Sequence, residues 1–325
     1  FWLKPFRLQL IYVSSATCMS MATPRLLLVK TLWGVDEAED PSKWDELFAL
    51  IKKAGFDGVE SNRFIWNRAP ARWVELLKKH ELFFIAQVHT TSNITDAGAY
   101  EYRTSCTVAD HVASFEKLTV EAAALGPKLI NVHSGHDSWC AGPKAIEYLT
   151  TVLEKGAKLS CPIVHETHRR RLLWEPYSTA ELLAHPALKG KLRINADLSH
   201  WVVACEHVFE EGAQLDSWWP SVLAAVTEHC EFVHARVGHP EAPQVPHPDD
   251  PRYATELSAH LRWWSAIWKA QLARGAKEVL CEPEFGPAPY MPCLPWTGAP
   301  VANLWAVNNR MADLCRLEFQ KLIEK

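Results

Sequence analysis

A row of acidic, histidine and arginine residues stands where apolar runs end. In order these are Glu166 in IVHETHRRR, Asp197 and His200 in LRINADLSHW, His234 and Arg236 in EFVHARVGHP, and Glu282 and Glu284 in EVLCEPEFGP. Carboxylates and imidazoles delivered from successive strand ends can converge on one point, as a divalent metal site requires. Glu166, Asp197, His234 and one glutamate of the last run would make a four-ligand site, with water or substrate oxygens completing the shell. Oxygen and imidazole ligands without thiolate favour Mn²⁺, Mg²⁺, Co²⁺ or Zn²⁺, and a single Mn²⁺ is the first expectation. Such an ion can polarise a carbonyl and stabilise an enediolate as a Lewis acid. Two glutamates facing each other across a substrate can remove and return a proton on carbon.

Neighbouring residues extend the pattern. Glu282 and Glu284 lie two apart and share a face in an extended strand, so only one of them need bind the ion. Arg236 offers a fixed fork of donors for a hydroxyl, carboxylate or phosphate, or else forms an exposed salt bridge. His200 could be a second ligand or a donor to substrate. Arg169, Arg170 and Arg171 suit an anionic substrate group or, equally, a solvated loop. His133 and His89, at the ends of two earlier runs, are further candidates for substrate contact, as is Glu282. His80 and His185 read as ordinary helix or surface histidines.

The elements that must position these residues alternate along the chain. Strand-like runs occupy 25–34, 56–61, 82–90, 127–137, 161–171, 191–201, 231–240 and 277–287. Helical stretches separate them. In 40–55, Trp44, Leu47, Phe48 and Ile51 fall at helical spacing and Gly55 is a stop. The stretch 178–188 begins with Ser178 or Thr179 as its cap. Strands alternating with helices imply parallel pairing with right-handed crossovers, and eight such units over ~300 residues match a closed (β/α)₈ TIM barrel, whose active sites lie at the C-terminal strand ends. No GxGxxG follows the first strand and no GxxxxGK[ST] occurs, so dinucleotide and P-loop readings lack support. Residues 24–325 therefore read as a single TIM-barrel catalytic domain.

Composition limits the rest. The 325 residues are 48% hydrophobic and 22% charged, with formal charge -4. That balance belongs to a soluble globular protein and argues against a dedicated nucleic-acid binder. No apolar run approaches the ~20 residues of a membrane helix. The 9 cysteines form no CxxC pair, which favours reduced thiols. Among the 15 tryptophans, Trp201, Trp218, Trp219 and Trp296 lie where aromatic walls of a pocket are expected. Residues 1–23 read as an N-terminal extension, either a targeting segment or sequence upstream of Met21. The expected location is cytoplasmic, or organellar if that extension is a transit peptide. A long segment, Pro283–Pro300, rich in proline and aromatics, is expected to cover the site.

At these residues the chain resembles the xylose isomerase-like TIM-barrel superfamily, which includes sugar isomerases and epimerases, inosose dehydratases and the endonuclease IV group. GFDGVES looks like that superfamily's second strand. HETHRRR, ADLSHW, HARVGHPEAPQVP and PEFGPAPYMP look like a subgroup described as sugar phosphate isomerase/epimerase. The resemblance covers most of the chain from residue 25, and its motifs span Glu166 to Pro289. It implies Glu166, Asp197, His234 and Glu284 as the metal ligands, with Glu284 preferred over Glu282 because it stands in PEFGP. It implies Glu166 and Glu284 as the acid/base pair, and His200 and Arg236 as substrate contacts. The partner would be a small carbohydrate, and homo-oligomers occur in many barrels of this kind.

Other outcomes share these residues. A dehydratase or lyase follows if proton removal ends in loss of hydroxide. An endonuclease IV-like enzyme would need three zinc ions. Asp197 with His200 matches that group's D-x-x-H, and His89, His133 and His239 could add ligands, but its D-x-H after the seventh strand is missing from GHPEAPQVPHPDD. A barrel that binds a ligand without turnover is the third alternative.

Overall fold

The computed structural model describes residues 23–90, 92–94, 100–102, 107–210 and 212–324. All but the last residue of the expected N-terminal extension lies outside them. Eight parallel strands close into a barrel. They are β1 (Arg25–Thr31), β2 (Gly58–Asn62), β3 (Phe83–His89), β4 (Leu129–His133), β5 (Ile163–Glu166), β6 (Ile194–Ala196), β7 (Cys230–His234) and β8 (Glu278–Glu282). Each pairs with its sequence neighbours, and β8 closes on β1 through Arg25 opposite Glu278. The principal helices are α1 (Trp44–Lys53), α2 (Pro70–Lys79), α3 (Val108–Ala123), α4 (Pro143–Gly156), α5 (Pro176–Ala184), α6 (Trp219–His229), α7 (Ala254–Ala273) and α8 (Leu304–Ile323). None is long and apolar enough to cross a membrane. A two-stranded antiparallel ribbon, Ser92–Ile94 with Tyr100–Tyr102, follows β3.

Side chains alternate across a strand, so residues two apart share a face. Inside the barrel, Leu27, Val29, Ile85, Leu129, Val164, Phe232 and Leu280 form a buried apolar plug. Two residues further along the same faces stand Gln87, Asn131, Glu166, His234 and Glu282. The interior therefore changes from apolar to polar within one pleat, toward the C-terminal ends of the strands. The plug excludes water from below, and the strand ends carry the chemistry.

The outer core is aromatic. Trp44 and Trp73 meet edge-on at 5.1 Å, and Trp73 meets Phe84 at 5.3 Å, joining α1 and α2 to β3. Trp219 packs on Trp263 at 5.1 Å and on Trp201 at 6.5 Å, joining α6 to α7. This corrects the expected pocket role of the tryptophans. Trp201 and Trp219 are wholly buried in the helix layer, Trp218 packs on Phe209 and Tyr177, and Trp296 is 104% exposed. Large rings seal the gap between helices and sheet more often than they line a pocket.

Local chemistry shifts several boundaries. Helix α5 is capped by Glu175, whose carboxylate accepts from the Tyr177 and Ser178 amides, not by Ser178 or Thr179. Pro176 occupies its first turn, where a missing N–H costs nothing. Strand β6 stops at Ala196, and a short helix, Ser199–Ala204, begins at once. The Asp197 carboxylate accepts from the Ser199 amide at 3.1 Å, which turns the chain there. The fourth run ends at His133. His136 lies beyond it, half exposed and paired with Asp137.

The loop after β8 is hydrogen-bonded to the loop after β7 and packs against the loop after β1. Gly286 donates to Gln244 Oε1 at 2.7 Å and accepts from its Nε2 at 3.1 Å. A Cβ at Gly286 would lie 2.1 Å from the Trp33 ring. Overpacking of this kind costs about 1–3 kcal/mol. Gly286→Ala is expected to lose stability of that order in denaturant unfolding. Adding Trp33→Leu should return part of it, because the two side chains share one space.

Candidate active site

Glu166 ends β5, Asp197 follows β6, His234 ends β7 and Glu284 stands two residues past β8. One donor atom from each lies within 4.8 Å of the others, and all four are buried. His234 sits at the centre. Its Nδ1 is 3.1 Å from Glu284 Oε2 and 3.6 Å from Glu166 Oε2. Its Nε2 lies 2.9 Å from Glu60 Oε2, on β2 across the barrel. Asn131 donates to Glu60 at 2.9 Å and to Glu166 at 2.6 Å, tying the two carboxylates together.

Arg236 closes the other side. It pairs with Asp197, lies 3.3 Å from Glu284 Oε2, and donates to the Ser199 hydroxyl at 3.2 Å. Its Nη2 donates to His200 Nε2 at 2.7 Å, so His200 accepts as a neutral imidazole. Burial holds His200 well below its ordinary pKa, and the Arg236 charge adds to that.

The electrostatics follow from crowding like charges in a dry place. Burial pushes Asp197 up to about 7; Arg236 opposes, while Glu284 and Glu166 push further up. Burial also acts against Glu166, but His133 and His234 outweigh it and draw Glu166 down to about 2. For His234, burial disfavours the charge, and Glu284, Glu60 and Glu166 together raise it well above its usual value. Without another cation His234 is therefore an imidazolium between Glu60 and Glu284. Glu282 lies one layer lower, wholly buried, and burial and Glu60 push it well above the carboxylate range.

The residues fit a divalent ion. Glu166 Oε1 is buried without a hydrogen bond, a rare state for a polar atom. Three carboxylates and one imidazole are the mixed donor set that Mn²⁺, Mg²⁺, Co²⁺ and Zn²⁺ accept. Glu60 would hold the proton on His234 Nε2 and leave Nδ1 for the ion, the carboxylate–histidine–metal arrangement of many metal sites. Two further groupings adjoin the quartet. Glu60, His234, Glu282 and Glu284 form one, and His133, Glu166 and His168 the other.

Above the quartet lies a cavity of about 210 Å³. His89, His133 and Arg236 line it, with Trp33, Arg171 and Tyr290. Of the expected substrate contacts, His200 and Glu282 are not on its wall: His200 lies behind Arg236, and Glu282 lies beneath the quartet. The rings of His89, His133, His168 and His200 form a row with centroids 4.1, 4.9 and 3.7 Å apart. His239 packs on Tyr253, in none of these groupings. Of the Pro283–Pro300 segment, Glu284 and Tyr290 line the cavity among the described residues. A larger cleft of about 630 Å³ opens beside β5 and the end of α4, but holds none of the quartet.

Sequence reading did not assign roles to Glu60, Asn131, Trp33 or Tyr290. Glu60 carried a signal as a carboxylate at a strand end, and Asn131 as a polar residue one pleat below His133. Nothing in the sequence marks Trp33 or Tyr290, which reach the cavity from loops.

The geometry can be set beside known proteins. D-allulose 3-epimerase from Methylomonas sp., solved with D-allulose, superposes with TM-score 0.54 at 17% identity, covering 93% of this chain and 98% of that one. The shared fold is the TIM barrel. The 3-keto-D-glucoside 4-epimerase from E. coli gives TM-score 0.54 at 12% identity, covering 90% and 100%. An AP endonuclease, family 2, from Brucella melitensis gives 0.52 at 15% identity, covering 82% and 94%. No protein-family model matches the sequence, and neither does any curated protein.

Removing one partner of a buried ion pair costs about 3–5 kcal/mol. Arg236→Met is expected to destabilise chelator-treated protein by that order in denaturant unfolding. Asp197→Asn combined with Arg236→Met should cost less than Arg236→Met alone, because no charge is then stranded.

Proposed function

We propose that this barrel is a divalent-metal-dependent isomerase or epimerase of a small sugar, keto-sugar or cyclitol. The observation that carries it is the quartet Glu166, Asp197, His234 and Glu284, gathered at the C-terminal mouth beneath a cavity of monosaccharide scale. The two sugar epimerases that share the fold support the substrate class. An ion held by the quartet, with Mn²⁺ favoured, supplies a Lewis acid for a substrate carbonyl.

The protein's own groups then move the proton. Glu166 enters from β5 and Glu284 from just past β8, three strands apart around the wall. One carboxylate takes the proton from the carbon beside the carbonyl, and the electron pair left behind becomes the enediolate. The other carboxyl, which must enter the step protonated, gives its proton to that carbon, from the opposite face in an epimerisation, and leaves ionised while the first is left protonated. Arg236 and His133 orient substrate oxygens, while Trp33 and Tyr290 limit water. Loss of hydroxide in place of reprotonation would make the same site a lyase.

One feature favours a second reading. His133 and His168 share Glu166 with the quartet, with His133 Nε2 2.8 Å from Glu166 Oε2, so a second ion could adjoin the first. A polynuclear centre of that kind would suit a DNA-repair nuclease like the AP endonuclease that shares the fold. His200, bound to Arg236, and His239, against Tyr253, join none of the three groupings among the described residues.

Metal content per chain, on protein purified without chelator, decides between them. About one ion per chain, lowered by Glu284→Gln, is expected, with hydrogen–deuterium exchange at carbon in a ketose or inosose panel. About three zinc ions would redirect the assignment to abasic-site DNA, and no ion after reconstitution would sink both. Glu60→Ala is expected to weaken metal affinity by about 10–100-fold, as for other second-shell partners of a ligating histidine, with the fold unchanged by circular dichroism.

A further inference from the structure

The mouth of the barrel holds a second chamber beside the cavity above the quartet. It lies between the loops after β1 and β2 and encloses about 190 Å³, close to the 210 Å³ of its neighbour. The two chambers share Trp33, Asn62 and Gln87 as walls. The second runs from Asp36 and Glu39, exposed at the surface, down to Glu60, which is 2% exposed and bonded to His234. It therefore approaches the central histidine of the quartet from another side. Ligand sites span roughly 300–1,000 Å³. Either chamber alone falls below that range, and the pair falls within it.

Trp33 stands where the chambers meet. Its amide donates to Thr31 Oγ1 at 3.3 Å, and its ring meets Tyr290 edge-on at 4.8 Å. The chain at Gly286 closes on the ring so tightly that a Cβ there would lie 2.1 Å from it. Trp33 is nevertheless 37% exposed. A large ring held in one place with part of its surface open is a preorganised platform, which gives up little conformational freedom when a ligand packs on it. The C–H face of a sugar ring is apolar and suits such a platform.

The charges in the second chamber have one sign. Asp36, Glu39 and Glu60 line it, and no lysine, arginine or histidine does so among the described residues. An ionised carboxylate only accepts hydrogen bonds. Hydroxyl groups can donate to it in charge-assisted bonds, whereas a phosphate or a carboxylate would be repelled.

We propose that the substrate has two sugar units: one whose reacting carbon lies over the quartet, joined to an uncharged, hydroxyl-rich second unit that occupies the side chamber against Trp33. This rests on the isomerase or epimerase reading above and narrows its substrate to a glycoside or disaccharide. Trp33 serves both units, and Asp36 accepts from the second alone.

The test is calorimetric titration of metal-loaded full-length protein with D-fructose and with turanose, lactulose and palatinose, which carry a second hexose on O3, O4 and O6 of fructose. Hydrogen exchange at carbon is read separately. At least one disaccharide is expected to bind at least about tenfold more tightly than fructose, the gain of further hydrogen bonds and the ring contact. The best linkage shows where the second unit leaves the first. Asp36→Ala, and Val35→Trp at a half-buried position that would fill the chamber, should each shrink the disaccharide-to-fructose ratio toward one with metal content unchanged. Fructose binding as tightly as every disaccharide, or no binding by any of the four, overturns the inference. So does a disaccharide preference untouched by both variants. Exchange at carbon in fructose without a disaccharide preference would leave the isomerase reading standing and sink this one. A chamber-dependent preference without exchange in any sugar would do the reverse.

Discussion

Everything at the mouth of this barrel is arranged around three carboxylates that cannot be left alone together. Glu166, Asp197 and Glu284 converge in a buried space with His234. Two like unit charges 4 Å apart repel by about 4 kcal/mol at an effective dielectric near 20. The protein offsets this with an imidazolium at the centre and a guanidinium on one flank, and still leaves Asp197 with a pKa near 7. A site that needs so much compensation when metal-free is one in which a divalent cation would relieve the strain. The apolar plug lies below the quartet, and Trp33 and Tyr290 line the cavity above it.

The compensation reaches beyond the quartet. Glu60 and Asn131 do not line the cavity above the quartet, but they set the histidine and carboxylate orientations through bonds of 2.6–2.9 Å. They come from β2 and β4, on either side of β3 in the wall, so the site is braced across the barrel and not only by its own strands. Barrel closure makes this bracing available: a β2 residue can reach a β7 residue only when the sheet curves back on itself. Arg236 does comparable work on the opposite flank, where one guanidinium serves Asp197, Glu284, Ser199 and His200.

Much of this was legible along the chain. The alternation of apolar runs with helical spacing predicted eight strand–helix units, because a strand buried on both faces must read as apolar and a covering helix as amphipathic. The residues that end the runs in the second half proved to converge, because parallel strands all present their C-terminal ends on one side. Glu284, two residues past the last strand, keeps the inward phase of Glu282 and rises into the quartet, while Glu282 stays a layer below. The tryptophans misled for an equally physical reason: a large ring near a strand end can face the helices or the mouth, and sequence position does not distinguish the two.

What the sequence by itself determined was period and chemistry: which faces are apolar, how many units follow one another, and which strand ends carry oxygen and nitrogen donors. What tertiary structure decided was distance. It brought Glu60 to 2.9 Å from His234, 174 positions away, sent Arg171 inward and Arg170 outward from one turn, and carried Trp33 and Tyr290 to the same cavity from opposite ends of the chain. These pairings depend on barrel closure and on loop paths. Both are set by the packing of the whole chain, which no local pattern encodes.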